Sequence, residues 1–309
     1  MLETSMDVRL LHQAASAYYE HGLRQAEVAA QIGVSRPFVS KLLAEARRIG
    51  LVRIEVLDPF AADTRSQETE LQELLGIDRV RIAPGDQTFR GYADLGPLLG
   101  SELASLGLRR GDVVMLATGR TLSDLSSSPA LPQLPGVRIV PIVGGQAEPD
   151  RAYQSNEIVR DLAGTVGGVP QFVFAPAVPS AALYASLQDD PFYRDMTELW
   201  SRARASLVSV GGPVSARESI PSMLPVTGHE LDEAIGDVGM HFFDRDGKLL
   251  EFPGSDRVVH TPFDQLCRTP LSVAVAVGAW KAQAITVAAR MGLFRSLLTD
   301  TVTAEALLR

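Results

Sequence analysis

The chain has 309 residues, enough for two domains, and its 46% hydrophobic and 21% charged content is that of an ordinary folded protein, neither disordered nor disulfide-stapled. A lone cysteine, Cys267, excludes an internal disulfide and reads as a small buried hydrophobe; the acidic opening MLETSMD and the lack of any apolar run near the roughly 20 residues of a bilayer span predict an unexported, cytoplasmic protein with no membrane partner. The net charge of -8 is uneven: residues 1–56 hold seven Lys/Arg and six Asp/Glu, net +1, and residues 57–309 hold 22 against 31, net -9, so the acidity says nothing about what the first 56 residues touch.

In chain order, Leu11, Ala14, Ala15 and Tyr18 recur at helical spacing and predict a first helix from about Asp7 to His21, stopped by Gly22. A shorter helix fits Gln25 to Ile32, with Val28, Ala29 and Ile32 inward and Gly33 at its left-handed end. Ser35 is placed to cap a third helix whose inner stripe is Val39, Leu42, Leu43, Ala46 and Ile49, and whose first turn tolerates Pro37. Its outer face presents Arg36, Pro37, Ser40, Lys41, Ala44, Arg47 and Arg48, and Arg36 to Arg48 carry four cations and one carboxylate. This is the helix-turn-helix pattern, with Arg36, Ser40 and Lys41 at the end that meets base edges, Arg47 and Arg48 nearer phosphates, and Gln25 a phosphate donor. A small helical bundle with a basic solvated face is the plain alternative.

LVRIEVL (Leu51 to Leu57) alternates as a short strand, Phe60 to Ser66 lapses into linker-like composition, and Glu68 to Leu75 is helical. From there β-rich runs alternate with helices: Val80 to Ala83, Val113 to Ala117, Val137 to Val143, Gln171 to Phe174, Leu207 to Val210, Val273 to Val277 and Leu293 to Leu298. The alternation predicts an α/β fold around a mostly parallel sheet. The loops ATGRT, VGGQ, SVGG and AVGAWK follow four of these runs, and ligands of such sheets lie beyond the carboxyl ends of the strands.

QAEVAAQIGVSRPFVSKLLAEARRIGLVRIEV resembles the N-terminal domain of the SorC (SorC/DeoR-type) bacterial transcriptional regulators. The likeness continues through GRTL (Gly119 to Leu122), PIVGG (Pro141 to Gly145), the NEIVRDLA segment from Asn156, GDVGMHFFD (Gly236 to Asp244), SDRVV (Ser255 to Val259) and VGAWKAQAI (Val277 to Ile285). The resemblance implies a helix-turn-helix domain over residues 1–57 and, over 58–309, a Rossmann-like α/β domain of the sugar-phosphate-isomerase-like type, which senses an effector and oligomerises. The implied partners are double-stranded operator DNA, a phosphorylated sugar or polyol, and further copies of the chain as a dimer or tetramer; no cofactor, metal or catalytic residue is implied.

Under that reading Gly119, Arg120, Thr121 and Lys281 hold the phosphate of the effector, Asn156, Asp256 and Arg257 its hydroxyls or a second anionic end, and Gly144, Gly145 and Gly278 also line its site. Each has a duller alternative: Gly119 to Thr121 as a strand-to-helix turn, Asp256 and Arg257 as a surface ion pair, Asn156 as a helix cap. Where the family often has paired glycines before the lysine segment this chain has Val277, with Ala279 and Trp280 after Gly278, which narrows the loop and points to an effector smaller or less polar than a hexose phosphate. Ser255 stands for the family's usual Asn and His241 for a common Arg; His241 is read as packed or solvent-facing. The rival function is a sugar-phosphate isomerase or deaminase, for which Asp256 is the candidate base; no HExxH, GxxxxGK[ST], GxGxxG or GxSxG pattern occurs.

Overall fold

The computed structural model describes residues 7–52, 61–90, 92–217, 224 and 229–309, and only the backbone of 48, 61–63, 89 and 90. The chain divides into two compact units, Met1–Ala61 and Ala62–Arg309.

In the first unit the Asp7 carboxylate accepts from the Arg9 amide (2.9 Å) and starts α1 (Val8–Ala15), which continues as one π turn over Ser16–Glu20. α2 (Gln25–Ile32) begins where the Glu27 carboxylate accepts the Arg24 amide (2.7 Å) and ends at Gly33, whose φ of +72° turns the chain so that the Val34 amide reaches the Ala29 carbonyl (3.0 Å). α3 (Arg36–Arg48) follows, with Pro37 in its first turn. Ser35 occupies the N-cap position, but its hydroxyl makes no capping bond, so the expected cap is positional only. Leu11, Ala14, Val28, Val39, Leu42 and Ala46 form the small core. Ile49, expected in the inner stripe, is 43% exposed because α3 stops at Arg48 and leaves it past the last turn.

The strand expected over Leu51 to Leu57 lies outside the described residues from 53 onward. Residues 61–66, expected as linker, belong instead to α4 (Ala61–Leu75). Ala61, Ala62, Asp63, Thr64, Arg65 and Ser66 are polar or small, but none is Gly or Pro, so nothing among them breaks a helix.

The second unit runs β1 (Arg79–Ala83), α5 (Gln87–Arg90), α6 (Leu95–Ser105), β2 (Val113–Leu116), α7 (Arg120–Leu125), β3 (Arg138–Pro141), α8 (Ser155–Val166), β4 (Val169–Pro170), α9 (Ala181–Asp189), α10 (Pro191–Ser201), β5 (Ala203–Val208), β6 (Gly236–Val238), β7 (His241–Phe243), α11 (Phe263–Arg268), β8 (Leu271–Val275), α12 (Ala282–Arg290), β9 (Ser296–Asp300) and α13 (Thr301–Leu307). Seven strands form one parallel sheet in the order β1-β9-β8-β5-β2-β3-β4, and β6 and β7 form an antiparallel hairpin. Every residue of β2 and β9 is buried, because a parallel sheet is covered on both faces; β2 (VVML) therefore reads as a continuous apolar run rather than an alternating one, while β9 (SLLTD) buries Ser296, Thr299 and Asp300 as well.

The chain moves outward from β2 through β3 to β4, then returns to lay β5 on the other side of β2. The strand order therefore reverses between β2 and β5, the place where loops diverge and a crevice opens.

Two strand expectations need correction, the run Leu207 to Val210 catches only the end of β5 (Ala203–Val208), and one hairpin was not expected. The run Gln171 to Phe174 is not a strand: the ladder with β3 pairs Val169 and Pro170, the Gln171 amide gives one further bond to the Ile139 carbonyl (2.8 Å), and Val173 is held by a side chain, described below. The run from Leu293 enters the sheet only at Ser296; Leu293 and Phe294 are buried in the turn before it, and burial without period does not fix a strand's start. The β6–β7 hairpin lay unrecognised within GDVGMHFFD, since its two-residue turn is Gly239-Met240 rather than an Asn-Gly or Asp-Gly signal.

Leu42 is fully buried at the centre of the first unit. We expect Leu42→Ala to destabilise that unit by about 2–5 kcal/mol, read as a lower urea midpoint for its helical circular dichroism.

Candidate functional site

A cavity of about 510 Å³ opens at the β2/β5 reversal. All four loops singled out in the sequence reach it: Ala117 to Thr121 after β2, Gln146 after β3, Ser209, Gly211 and Gly212 after β5, and Val277, Trp280 and Lys281 after β8. The β6–β7 hairpin supplies the opposite wall through Asp237, Gly239, Met240 and Phe242. The volume is that of an ordinary small-molecule site.

Local geometry begins with the Ser209 hydroxyl, which donates to the Thr118 carbonyl (2.7 Å) and ties the loop after β5 to the loop after β2. Gly119 then turns at φ +136°, with the Ser209 oxygen 3.0 Å from where a Cβ would stand, so a side chain is excluded on both counts. Its amide donates to the Ala152 carbonyl (2.8 Å), which leaves Arg120 and Thr121, at the start of α7, as the residues this turn directs into the cavity.

Arg120, Arg217 and Lys281 face a single carboxylate, Asp237, among the described lining residues. Asp237 is ion-paired with Arg217, and its other oxygen accepts the Met240 amide (3.3 Å). Arg120 lies 3.8 Å from Asp150 and is largely exposed. The Lys281 ammonium sits 5.3 Å from the centre of the Trp280 ring. Burial and then the Arg217 guanidinium, with a smaller push from Arg120, draw the Lys281 ammonium down to about 8 against the pull of Asp237. The lining thus holds a net positive field with one cation already costly to keep charged.

Trp280 is 51% exposed, and its ring lies against Gly212, where an added Cβ would come within 2.0 Å of the indole. Gly278, at φ +114°, backs the indole nitrogen in the same way at 2.7 Å. Tyr92 (φ +61°) and Met240 (φ +67°) are the non-glycine residues at positive φ among the described residues, and both line this cavity. Strained backbone of this kind collects at ligand sites.

The structure separates the remaining expected effector residues from this lining. The Gly144 amide donates to Val259 and the Gly145 amide to Ala175 (both 2.8 Å), so both glycines brace the loop and present Gln146 instead. Asn156 neither reaches the cavity nor caps α8: its amide nitrogen donates to the Val173 carbonyl (2.9 Å) and its oxygen accepts the Val173 amide (3.0 Å), replacing a strand partner. Gly278 donates to Thr303 (2.7 Å) and shapes the indole seat from behind. Asp256 and Arg257 form an ion pair (3.1 Å), and Arg257 also donates to the Pro179 carbonyl (2.8 Å).

Asp256 lines a second cavity of about 340 Å³ with Ser255, His241 and His260. The two imidazoles stack at 4.0 Å; burial lowers His241, and burial plus its neighbour takes His260 to about 3. His241 is therefore a packed histidine. The residues not foreseen, Gln146, Arg217 and Asp237, carry no motif spacing; only the loop position of Gln146 and the hairpin motif around Asp237 pointed toward the site. Cys267 is half-buried against the Met291 carbonyl.

In the first unit, Ser35, Arg36, Pro37, Ser40, Lys41 and Arg47 are exposed, and Gln25, half-buried, opens α2. Arg48 ends α3; its side chain lies outside the described residues.

An α/β unit with a cationic switch-point crevice, carried by a chain that also bears a helix-turn-helix, defines a ligand-sensing class of protein. The chain belongs to the Sugar-bind family of sugar-binding domains, whose model matches residues 61–309, and so to the SorC-type proteins that its motifs resemble. It is 26% identical to the deoxyribonucleoside regulator of Bacillus subtilis (strain 168), with 96% of each chain covered, and 25% identical to the sorbitol operon regulator of Klebsiella pneumoniae, with 100% of each covered. The crystal structure of the full-length sorbitol operon regulator SorC from Klebsiella pneumoniae shares the fold, with a TM-score of 0.77 over 99% of this chain and 100% of that one at 24% identity. No described helix is long and apolar enough to cross a membrane.

Because Asn156 holds Val173 rather than a ligand, Asn156→Ala should lower the stability of the second unit by about 1–3 kcal/mol. Thermal melting checks this.

Proposed function

We propose that the protein is a transcriptional regulator whose affinity for operator DNA is set by a phosphorylated sugar, polyol or related small metabolite bound in the β2/β5 cavity. The observation that carries this reading is the cavity's charge, three cations against one carboxylate at the strand ends of a sugar-binding-family domain. Arg120 supplies a planar donor fork and Lys281 a point charge for a phosphate, with the Thr121 hydroxyl beside them. Relatives named for a sorbitol operon and for deoxyribonucleosides support the coarser reading, a regulator that responds to a sugar-type metabolite. Val277 and Trp280 narrow the cavity and favour a small effector.

The DNA-reading part is α2 and α3, within residues 1–57, and residues 58–309 carry the effector site and the contacts between copies. Arg36, Ser40 and Lys41 meet base edges; Gln25, Ser35, Pro37, Arg47 and Arg48 lie along the backbone. One such unit makes few phosphate contacts, so binding takes two or four copies on a repeated operator. The candidate base of the isomerase reading, Asp256, lies on the second cavity and is ion-paired to Arg257, which favours regulation over turnover.

The test is a pair of reciprocal variants. Lys41→Ala should weaken operator binding in gel shifts by about 1–3 kcal/mol if it reads a base, and flatten the salt dependence if it contacts a phosphate, with effector affinity unchanged. Lys281→Ala or Arg120→Ala should do the reverse. Effector binding is readable from intrinsic fluorescence, because Trp280 lines the cavity and the only other tryptophan, Trp200, is 2% exposed. Loss of effector binding in Lys41→Ala, or no operator binding by wild type, defeats the division of labour.

The pH dependence has a definite sign. Lys281 has a lowered value of about 8, so its charge is present below that pH and lost above it. A phosphate monoester becomes a dianion above pH about 6. Affinity should rise from pH about 6, peak between 7 and 8, and fall at higher pH by at most about tenfold per unit. Isothermal titration across pH 6–10 checks it, and Lys281→Arg should remove the alkaline fall.

A further inference from the structure

Four buried side-chain polar atoms lack a hydrogen-bond partner among the described residues, and of these only Gln146 Oε1 belongs to a residue lining the effector cavity. An orphaned acceptor of that kind carries the desolvation cost of a polar group with nothing returned, and in a native structure it calls for an explanation. The Gln146 side chain is not loose. Its Nε2 donates to the Thr118 hydroxyl (3.3 Å), and its backbone carbonyl accepts from the Gln154 side chain (3.3 Å). Thr118 is held in turn, since its carbonyl accepts from the Ser209 hydroxyl. Having accepted from Gln146, the Thr118 hydroxyl still has its own proton to give, and Thr118 also lines the cavity.

We propose that Thr118 and Gln146 form a hydroxyl reader: one hydroxyl of the effector accepts from Thr118 Oγ1 and donates to Gln146 Oε1. The proposal rests on the β2/β5 cavity being the effector site and adds what selects among effectors there. A hydroxyl is the group that serves both partners at once, because it gives one proton and offers lone pairs. A ligand methylene at the same place leaves the Gln146 oxygen, which the protein already shields from water, unpaired. A phosphate oxygen, an acceptor only, leaves it unpaired as well. Sites built in this way reject an analogue lacking the group far more strongly than apolar pockets reject an added one.

The experiment compares full-length wild type with Gln146→Met, which keeps length and removes the acceptor. The probes are ribose 5-phosphate and 2-deoxyribose 5-phosphate, glucose 6-phosphate and its 2-, 3- and 4-deoxy analogues, and inorganic phosphate. The expected result is that wild type prefers a hydroxylated probe over its deoxy partner by a factor on the order of ten to a hundred. Gln146→Met reduces that ratio to within about twofold, and binding of the deoxy partner and of phosphate is retained. Thr118→Val, a second variant of similar shape, should reduce the same ratio for the same hydroxyl.

An unchanged ratio in both variants, or an equal loss for every probe including phosphate, overturns the hydroxyl reader while leaving the effector site standing. Wild type that binds hydroxylated and deoxy probes equally also overturns it. Absence of binding by any probe to wild type overturns the effector reading itself, and this inference with it.

Discussion

The bond from the Ser209 hydroxyl to the Thr118 carbonyl is the constraint on which the site depends. Strand order reverses between β2 and β5, so the loops leaving their ends would diverge without a tie. With the tie in place Ser209 occupies the space beside Gly119, which is why that position has no side chain and why the next two residues swing inward. The loop after β5 then carries Gly211, whose amide donates to the Asp237 carbonyl (2.8 Å) and draws the β6–β7 hairpin over the crevice. One hydroxyl thus sets the floor, and the wall is hung from the strand beside it.

The charges follow from that closure. Arg217 and Asp237 neutralise one another across the hairpin, and the Lys281 ammonium is left beside apolar Val277 and the Trp280 face without an ion pair among the described residues. A cation in that setting is stabilised by whatever anion enters, since an incoming negative charge relieves both the burial and the two neighbouring guanidiniums. The cavity is preorganised for negative charge in the sense that its own groups repel one another until something anionic arrives.

Much of this was legible from the sequence, and the exceptions have physical causes. The four strand-end loops were readable because parallel strands that end in Gly or small polar residues announce the crevice end of the sheet. Gly119, Arg120, Thr121 and Lys281 converge on one cavity for that reason. Gly144, Gly145 and Asn156 look the same in sequence but brace backbone, because a glycine after a strand or an asparagine in a helix's first turn serves neighbouring backbone as readily as a ligand. Arg217 was not legible, since no local spacing encodes its return to the cavity; Gln146 lay in one of the four strand-end loops and Asp237 in the GDVGMHFFD motif, but nothing in either singled out that residue. The helical start of α4 was hidden by composition alone: polar residues with no breaker among them read as linker when taken without their neighbours.

The seat of Trp280 has a consequence for how this cavity can change. Gly212 and Gly278 back the indole from two sides, 2.0 and 2.7 Å from where their side chains would begin, and come from loops after different strands. A methyl at either place would displace the ring and resize the mouth, and Gly278 would do so from outside the cavity lining. The aperture is therefore governed from behind. Under the proposed function, selectivity for larger or smaller metabolites can then drift through a position outside the cavity lining, while the cationic groups of the cavity stay unchanged.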